Sequence, residues 1–139
     1  MQPFATSDEA IRILGGFFRE QSERLAHSNA LQIFSGSGYV VAYELTEPSL
    51  RIVLDGSIAP TALNAFGLHI NDPEAPLPDV TFLFTCEQFD GIYSGQLQLL
   101  SLVTSGHAII QGNRAAGMRL LPAVIRLIPF YKRYRTDHS

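Results

Sequence analysis

The sequence predicts one α+β domain. Its 139 residues are enough for a single hydrophobic core and short for two. Hydrophobic residues make up 46% of the chain and charged residues 17%, so apolar burial can offset the entropy that folding removes. Segments that alternate apolar and polar side chains, typical of strands, occur between segments whose apolar residues recur every three or four positions, typical of helices. These observations favour a mixed globular fold over a disordered chain or a coiled coil.

The first predicted element is a helix over residues 7–26. Thr6 and Glu9 form a capping-box pattern, and apolar side chains then recur on one face. Gly15 and Gly16 lie inside this helix, where each glycine costs about 1 kcal/mol relative to alanine. Two interpretations stay open: a neighbouring group or ligand approaches the backbone closely there, or the helix breaks at that point.

Three strand patterns follow the first helix. Residues 39–45 and 50–54 alternate on either side of a short polar segment, which predicts a β-hairpin. A shorter alternation over 66–70 predicts a third strand, bordered by a proline-rich loop.

The second half of the chain alternates short strands and short helices. Residues 80–85 predict a strand that runs directly into a second capping pattern, Thr85 with Gln88, and so into a short helix. Another short helix is expected over 96–105. Gly95 and Gly106 are expected to follow the two helices. Residues 107–111 predict a strand, and Asn113 is expected to cap a last helix.

The last helix, from Arg114 to Ile128, is apolar over most of its circumference. Pro122 and Pro129 are expected to interrupt it. If the helix continued, the cations spaced seven residues apart would form a stripe; these are Arg119, Arg126 and Arg133. Two interpretations stay open: part of this apolar surface faces something other than the core, or the surface is accounted for by burial of both sides or by a homodimer interface on one side.

Charge is distributed unevenly along the chain. The net charge is −3, but residues 1–112 hold four basic against twelve acidic residues, whereas residues 113–139 hold six basic residues against Asp137 alone. This balance argues against a general nucleic-acid binder, which needs a basic footprint. The basic tail, residues 129–139, is either a solvated fraying end or a contact with anionic lipid head groups. The cations expected in such a membrane contact are Arg126, Lys132, Arg133 and Arg135, with Phe130, Tyr131 and Tyr134 between them.

The sequence indicates a reducing compartment and shows no export or membrane-spanning signal. Cys86 is the only cysteine and cannot form an internal disulfide. The first six residues lack the basic and apolar regions of a signal peptide. The uncharged stretch from Gly91 to Asn113 contains four glycines among its polar residues, which is unlike a transmembrane helix. We therefore expect a cytoplasmic protein.

No constellation of residues predicts catalysis, a cofactor or a metal site. The four histidines lie far apart and have no carboxylate at metal-ligand spacing; they are His27, His69, His107 and His138. Cys86 lies at a predicted helix N-terminus but has no identifiable base. Glu87 and Asp90 share a helical face as weak candidates for acid–base chemistry. Neither a phosphate-binding loop nor a dinucleotide fingerprint occurs.

The order of elements from residue 78 onward resembles the sterol carrier protein type-two family. The resemblance lies in the strand Pro78–Thr85, the short helix with Phe89 and Ile92, and the glycine-bounded segment 106–113. That last segment typically has the pattern Gly-Lys-Leu-x-Ile-x-Gly-Asp in the family. Here it is Gly-His-Ala-Ile-Ile-Gln-Gly-Asn, so His107 replaces the lysine and Asn113 the aspartate.

The resemblance implies a five-stranded, mostly antiparallel sheet that is covered by helices and encloses an apolar tunnel. Family members bind sterols, fatty acids or acyl-CoA, and relatives act as accessory proteins in quinone synthesis or as domains of larger enzymes. The absence of tryptophan and of a peroxisomal terminus favours a standalone bacterial or archaeal member.

The expected function is non-catalytic binding and transfer of a hydrophobic molecule. Six apolar residues are the candidate tunnel wall, although each could belong to the core instead: Phe82, Phe84, Ile110, Met118, Leu121 and Ile125. Arg51 or Gln111 could contact a polar head group. The alternatives are an accessory protein that presents a quinone-like or polyprenyl intermediate to a complex, and a small lipid enzyme that uses Cys86, Glu87 or Asp90.

Overall fold

The computed structural model describes residues 3–26, 39–58, 61 and 64–138. Within these residues, helices cover one face of a five-stranded sheet. The strands are β1 (Val40–Thr46), β2 (Leu50–Asp55), β3 (Gly67–Ile70), β4 (Val80–Thr85) and β5 (Ile109–Gly112). The helices are α1 (Ser7–Ala10), a π-helical turn (Ile11–Gly15), α2 (Gly16–Leu25), α3 (Cys86–Tyr93), α4 (Leu99–Thr104), α5 (Arg114–Arg119) and α6 (Leu121–Asp137).

The sheet has the strand order β3-β2-β1-β4-β5. The β1–β2 pair is the predicted hairpin, and β3 and β5 form the two edges. Three of the four strand pairs are antiparallel, while the central pair, β1 with β4, is parallel. The predicted α+β class, with a mostly antiparallel five-stranded sheet covered by helices, is therefore confirmed, while the internal tunnel stays a prediction.

The main core lies between one face of this sheet and the helices α2, α3 and α6. Aromatic rings fill its centre: the Phe89 and Tyr93 rings stack with centroids 4.4 Å apart, and Phe17 meets Tyr131 edge-on at 5.0 Å. The Tyr43 and Tyr93 hydroxyl oxygens lie 2.7 Å apart, which pairs two buried polar groups. The interior at the middle of the sheet is thus packed with protein side chains.

The glycine pair in the first helix does not break it. The backbone stays helical from Ser7 to Leu25, through the π-helical turn at Ile11–Gly15. A Cβ atom at Gly15 would lie 2.5 Å from the Ile70 side chain, and one at Gly16 would overlap the Tyr134 hydroxyl. The close-approach interpretation is confirmed, with side chains of β3 and α6 as the approaching groups.

Both predicted caps are present. The Thr6 hydroxyl accepts a hydrogen bond from the Glu9 amide, and the Thr85 hydroxyl accepts one from the Gln88 amide. The Gln88 side chain in turn accepts from the Thr85 amide, which completes a capping box at the start of α3. This cap places α3 directly after β4, as the sequence indicates.

The last helix differs from its prediction. It is interrupted at Leu120, where the Leu120 amide bonds to the carbonyl of Gly117, because Pro122 cannot donate to the preceding turn. Pro129 does not interrupt it: α6 continues to Asp137. Tyr131 and Tyr134, beyond Pro129, are buried against the core, so the described part of the basic tail is a packed helix. None of the described helices is both long and apolar enough to cross a bilayer.

Candidate functional site

An apolar groove lies between α4, with the segment before it, and the first half of α6. It has a volume of about 360 Å³, within the range of small-molecule sites. The described residues that line it comprise one side chain with an amide, one glycine and otherwise apolar residues: Ile92, Gly95, Leu97, Gln98, Leu99, Leu100, Leu121, Val124, Ile125 and Ile128. Such a lining can remove aliphatic surface from water but offers little that could recognise a polar group.

Two glycines shape one wall of this groove. Gly95 follows α3 with φ of +82°, a conformation that favours glycine. The chain then turns back, and the amides of Gln96 and Leu97 both donate to the Gly91 carbonyl, at 2.8 and 3.0 Å. A Cβ at Gly91 would lie 2.5 Å from Leu97, so this glycine leaves room for the leucine at the rim. The wall is therefore set by local backbone geometry.

The groove exposes large apolar side chains. Ile125 is 65% exposed, Leu100 52% and Leu97 38%. Leu97 and Leu100 belong to the stretch from Gly91 to Asn113 that lacks charged residues, so no cation or carboxylate of that stretch interrupts the apolar surface on their side of the groove. Adjacent exposed apolar side chains of this kind mark a ligand or interaction surface. Deeper in the groove, Ile92 and Val124 are buried and separate it from the aromatic core.

The six predicted wall residues occupy three places. Leu121 and Ile125 line the groove. Phe82, Phe84 and Ile110 point into the main core, where Phe82 stacks on Tyr43 and pairs in register with Ile110. Met118 lies on α5 and is 42% exposed. The sequence reasoning did not include Leu97, Leu100 and Ile128, and the uncharged stretch could have indicated the first two.

The two candidates for a polar head group lie on the other side of the sheet. Their neighbours Ile52 and Ile110 face the core, so Arg51 and Gln111 face outward because strand side chains alternate. Arg51 Nε is also 2.7 Å from Glu44 Oε1. The sheet therefore lies between these two residues and the groove, and their contact with a polar head group stays a prediction.

The helix carboxylate Asp90 connects α3 to α6. The Tyr131 hydroxyl donates to Asp90 Oδ1 at 2.7 Å, and Arg135 Nε lies 3.3 Å from the same oxygen. Burial, followed by the hydrogen bond to Asp90, raises the pKa of Tyr131, so its proton stays in place. These contacts give Asp90 a structural role, while Glu87 is exposed.

Cys86 is poorly placed for nucleophilic chemistry. Its side chain is buried and its Sγ lies 3.3 Å from the Pro48 carbonyl oxygen, which it can bond as a donor. Burial, and to a lesser degree the charge of Asp90, raises the pKa of the Cys86 thiol to about 11. The thiolate is therefore scarce at neutral pH.

The predicted membrane-contact cations separate into two environments. Arg126, Lys132 and Arg133 are on the exposed side of α6. Arg135 instead pairs with Asp90 and lies over the Phe4 ring, 4.8 Å from its centroid. The aromatic residues between these cations turn inward: Tyr131 and Tyr134 are buried, and Phe130 is covered by Arg24.

The described histidines lie near different partners. His69 Nδ1 is 3.0 Å from Asp72, His107 Nδ1 is 2.7 Å from the Ser105 hydroxyl, and His138 stacks on Tyr134. His27 lies outside the described residues. Within the described part of the chain, no three His, Cys, Asp or Glu residues form a group that could hold a metal ion.

No protein-family model and no curated protein sequence matches this chain. Solved structures match it over most of its length. The sterol carrier protein domain 2 of Helicoverpa armigera is 18% identical, with a TM-score of 0.57 and coverage of 81% of this chain and 86% of that chain. Sterol carrier protein 2 from Yarrowia lipolytica, in its apo form, is 13% identical, with a TM-score of 0.57 and coverage of 85% and 88%.

A third solved structure, described as UbiJ-SCP2 ubiquinone synthesis protein, is 19% identical, with a TM-score of 0.55. The alignment covers 94% of this chain and 98% of that chain. Likeness at this level of identity concerns the arrangement of helices and strands, which is shared over nearly the whole domain. The chain is therefore an α+β domain with the sterol carrier protein 2 fold.

Proposed function

We propose that this chain is a non-catalytic carrier that binds one hydrophobic molecule of the sterol, fatty acid or acyl-CoA class. The observation that carries the proposal is the apolar groove, in which Leu97, Leu100 and Ile125 are exposed although they are large and apolar. Burial of an aliphatic chain against these side chains would contribute about 0.8 kcal/mol per methylene group. The fold shared with sterol carrier proteins supports the same class of ligand.

The cargo site extends inward from the groove in this proposal. Ile92 and Val124 separate the groove from the aromatic core, and a shift of these two side chains would deepen it into the internal tunnel that the resemblance implies. The sheet residues Phe82, Phe84 and Ile110 would then form its inner wall. Met118, a flexible side chain on α5, would adapt to the cargo.

The chemistry of the groove supports a carrier over an enzyme. Among the described residues that line it, the only polar side chain is the amide of Gln98. Cys86 is buried with a raised pKa, and Asp90 is engaged by Tyr131 and Arg135. A carrier needs a site that releases its cargo unchanged, and this apolar lining meets that need. We propose a cytoplasmic location, in keeping with the single buried cysteine.

The test is identification of the bound molecule. Native mass spectrometry of the full chain purified from its own host, followed by extraction, is expected to show one retained lipid per chain. Delipidated protein should bind cis-parinaric acid, a fluorescent fatty acid, and accelerate its transfer between vesicles in proportion to protein concentration. Protein that retains no lipid and does not enhance parinaric acid fluorescence would contradict the proposal.

A second candidate function is an accessory protein that presents a quinone-like or polyprenyl intermediate to a biosynthetic complex. It is favoured by the structural likeness to a protein described as a ubiquinone synthesis protein, which covers 98% of that chain. The same transfer assay separates the two functions. An accessory protein should retain an isoprenoid from its host and form a stable complex with a biosynthetic enzyme, without accelerating transfer of lipid between vesicles.

A further inference from the structure

The exposed side of α6 carries apolar and cationic side chains side by side. Ile125 and Lys132 are seven residues apart and so lie almost along one line of the helix. Arg126 and Arg133 repeat this spacing on the adjacent line. The opposite side is buried and carries Ala123, Val124, Leu127, Tyr131 and Tyr134. The exposed side of α6 therefore combines an apolar ridge with a row of cations.

The other rim of the groove extends the apolar part of this surface. Leu97 and Leu100 are exposed across the groove from Ile125, and all three line it. We call Leu97, Leu100, Ile125, Lys132 and Arg133 the docking face. Cations at one edge and protruding aliphatic side chains at the groove match the chemistry of a bilayer interface, where head groups overlie acyl chains.

The charge distribution favours one orientation towards an anionic surface. The only acidic residue of α6 is Asp137, at its end, and the stretch from Gly91 to Asn113 that supplies the other rim has none. Residues 1–112 carry a net charge of −8, whereas residues 113–139 carry +5. An anionic membrane would therefore attract the α6 side of the molecule and repel the remainder.

We infer that the docking face binds the surface of an anionic phospholipid bilayer, with the mouth of the groove turned towards the membrane. The purpose of this docking rests on the proposed function. If the groove holds a cargo, docking would let that cargo move between bilayer and groove without crossing water. Its apolar contact comes from Leu97, Leu100 and Ile125. The aromatic residues of the basic tail do not supply it, since Tyr131 and Tyr134 are buried.

The first test measures co-sedimentation of the full chain with vesicles. Binding is expected with mixed phosphatidylcholine–phosphatidylglycerol vesicles, and it should weaken with added salt. The double variant Lys132→Gln/Arg133→Gln should bind roughly 25-fold more weakly at low ionic strength, about five-fold for each cation. The matched control is Arg12→Gln/Arg19→Gln. It also removes two exposed cations, but from the helix that packs on the buried side of α6.

The second test uses the absence of tryptophan from the chain. An Ile125→Trp variant carries one fluorophore on the docking face, and its emission should shift to the blue on anionic vesicles and be quenched by brominated acyl chains. The control is Leu77→Trp, at a position that is 90% exposed in the loop before β4. Its emission should not change, because that loop lies outside the docking face.

Several outcomes would overturn the inference. These are equal vesicle binding by the wild type and the Lys132→Gln/Arg133→Gln variant, an unchanged emission of Ile125→Trp, or a dimer in solution that protects Ile125→Trp from quenchers without vesicles. Parinaric acid binding in solution, measured on the same proteins, tests the proposed function separately. The double variant should retain it. If the wild type bound vesicles but did not bind parinaric acid, the carrier function would be refuted and the docking would be supported.

Discussion

The hydroxyl of Tyr134 occupies the space that a Cβ atom at Gly16 would need. This contact holds the C-terminal half of α6 against the first helix, and the Phe17 and Tyr134 rings, with centroids 5.7 Å apart, reinforce it. It explains a glycine that is otherwise unfavourable in a helix interior. It also explains why the basic tail is a packed helix.

Replacement of this glycine should therefore destabilise the protein despite the gain in helix propensity. Gly16→Ala gains about 1 kcal/mol of intrinsic helix preference, but displacement of the Tyr134 ring costs about 1–3 kcal/mol. We expect a net loss of about 1 kcal/mol in the free energy of unfolding, measured by urea denaturation. The same change in a Tyr134→Phe background should cost less, because the hydroxyl is absent; an equal loss in both backgrounds would contradict the contact.

Stability should fall at alkaline pH because of the buried tyrosine pair. Burial raises the pKa of Tyr43 to about 12 from its ordinary value of 10, outweighing the hydrogen bond with Tyr93, and burial also raises the pKa of Tyr93. The folded protein thus keeps a proton that the unfolded chain releases. The stabilisation is complete below pH 10 and is lost as the pH rises through 10 towards 12, by about 2–3 kcal/mol for Tyr43.

Urea denaturation at a series of pH values measures this dependence. Tyr43→Phe should flatten the decline above pH 10 in part, since Tyr93 still contributes. A stability that stays constant to pH 12, or a decline that Tyr43→Phe leaves unchanged, would show that the pair ionises freely in the folded state.

Cys86 should react slowly with thiol reagents in the native protein. With its pKa raised to about 11, the thiolate fraction at neutral pH is smaller than for an exposed cysteine by about two orders of magnitude, and burial restricts access further. The measurement is the rate of reaction with Ellman's reagent. Protein unfolded in urea provides the reference rate. A native rate close to it would support Cys86 as a nucleophile.

The proposal that cargo binds in the groove can be tested with a charge placed at the rim of the groove. Leu100→Glu should weaken parinaric acid binding at least ten-fold, because an ionised carboxylate beside the acyl chain is costly to desolvate. Leu100 is 52% exposed, so the fold should tolerate the change. Leu77→Glu, at a more exposed apolar position outside the groove, is the matched control and should bind normally. Similar affinity in both variants would place the cargo elsewhere.

Short-range patterns in the sequence predicted most elements correctly. The capping residues Thr6 and Thr85, the β1–β2 hairpin and the glycine after α3 depend on interactions between residues a few positions apart, which sequence spacing reports directly. The candidate site was harder to predict. A long run of apolar residues in α6 predicts burial, but it does not distinguish the sides of the helix that face the core from the side that carries Ile125.

The sequence by itself determined most of the helices and strands and the concentration of positive charge near the C-terminus. Only the tertiary structure decided that β1 pairs in parallel with β4, that α6 continues through Pro129, and that α4 and α6 leave a groove between them. The physical reason is that these features depend on contacts between distant segments. A proline in a helix interior costs about 3 kcal/mol of stability, but burial of Tyr131 and Tyr134 against the core stabilises the helix by more than that. A pattern among neighbouring residues does not report the difference between these two free energies.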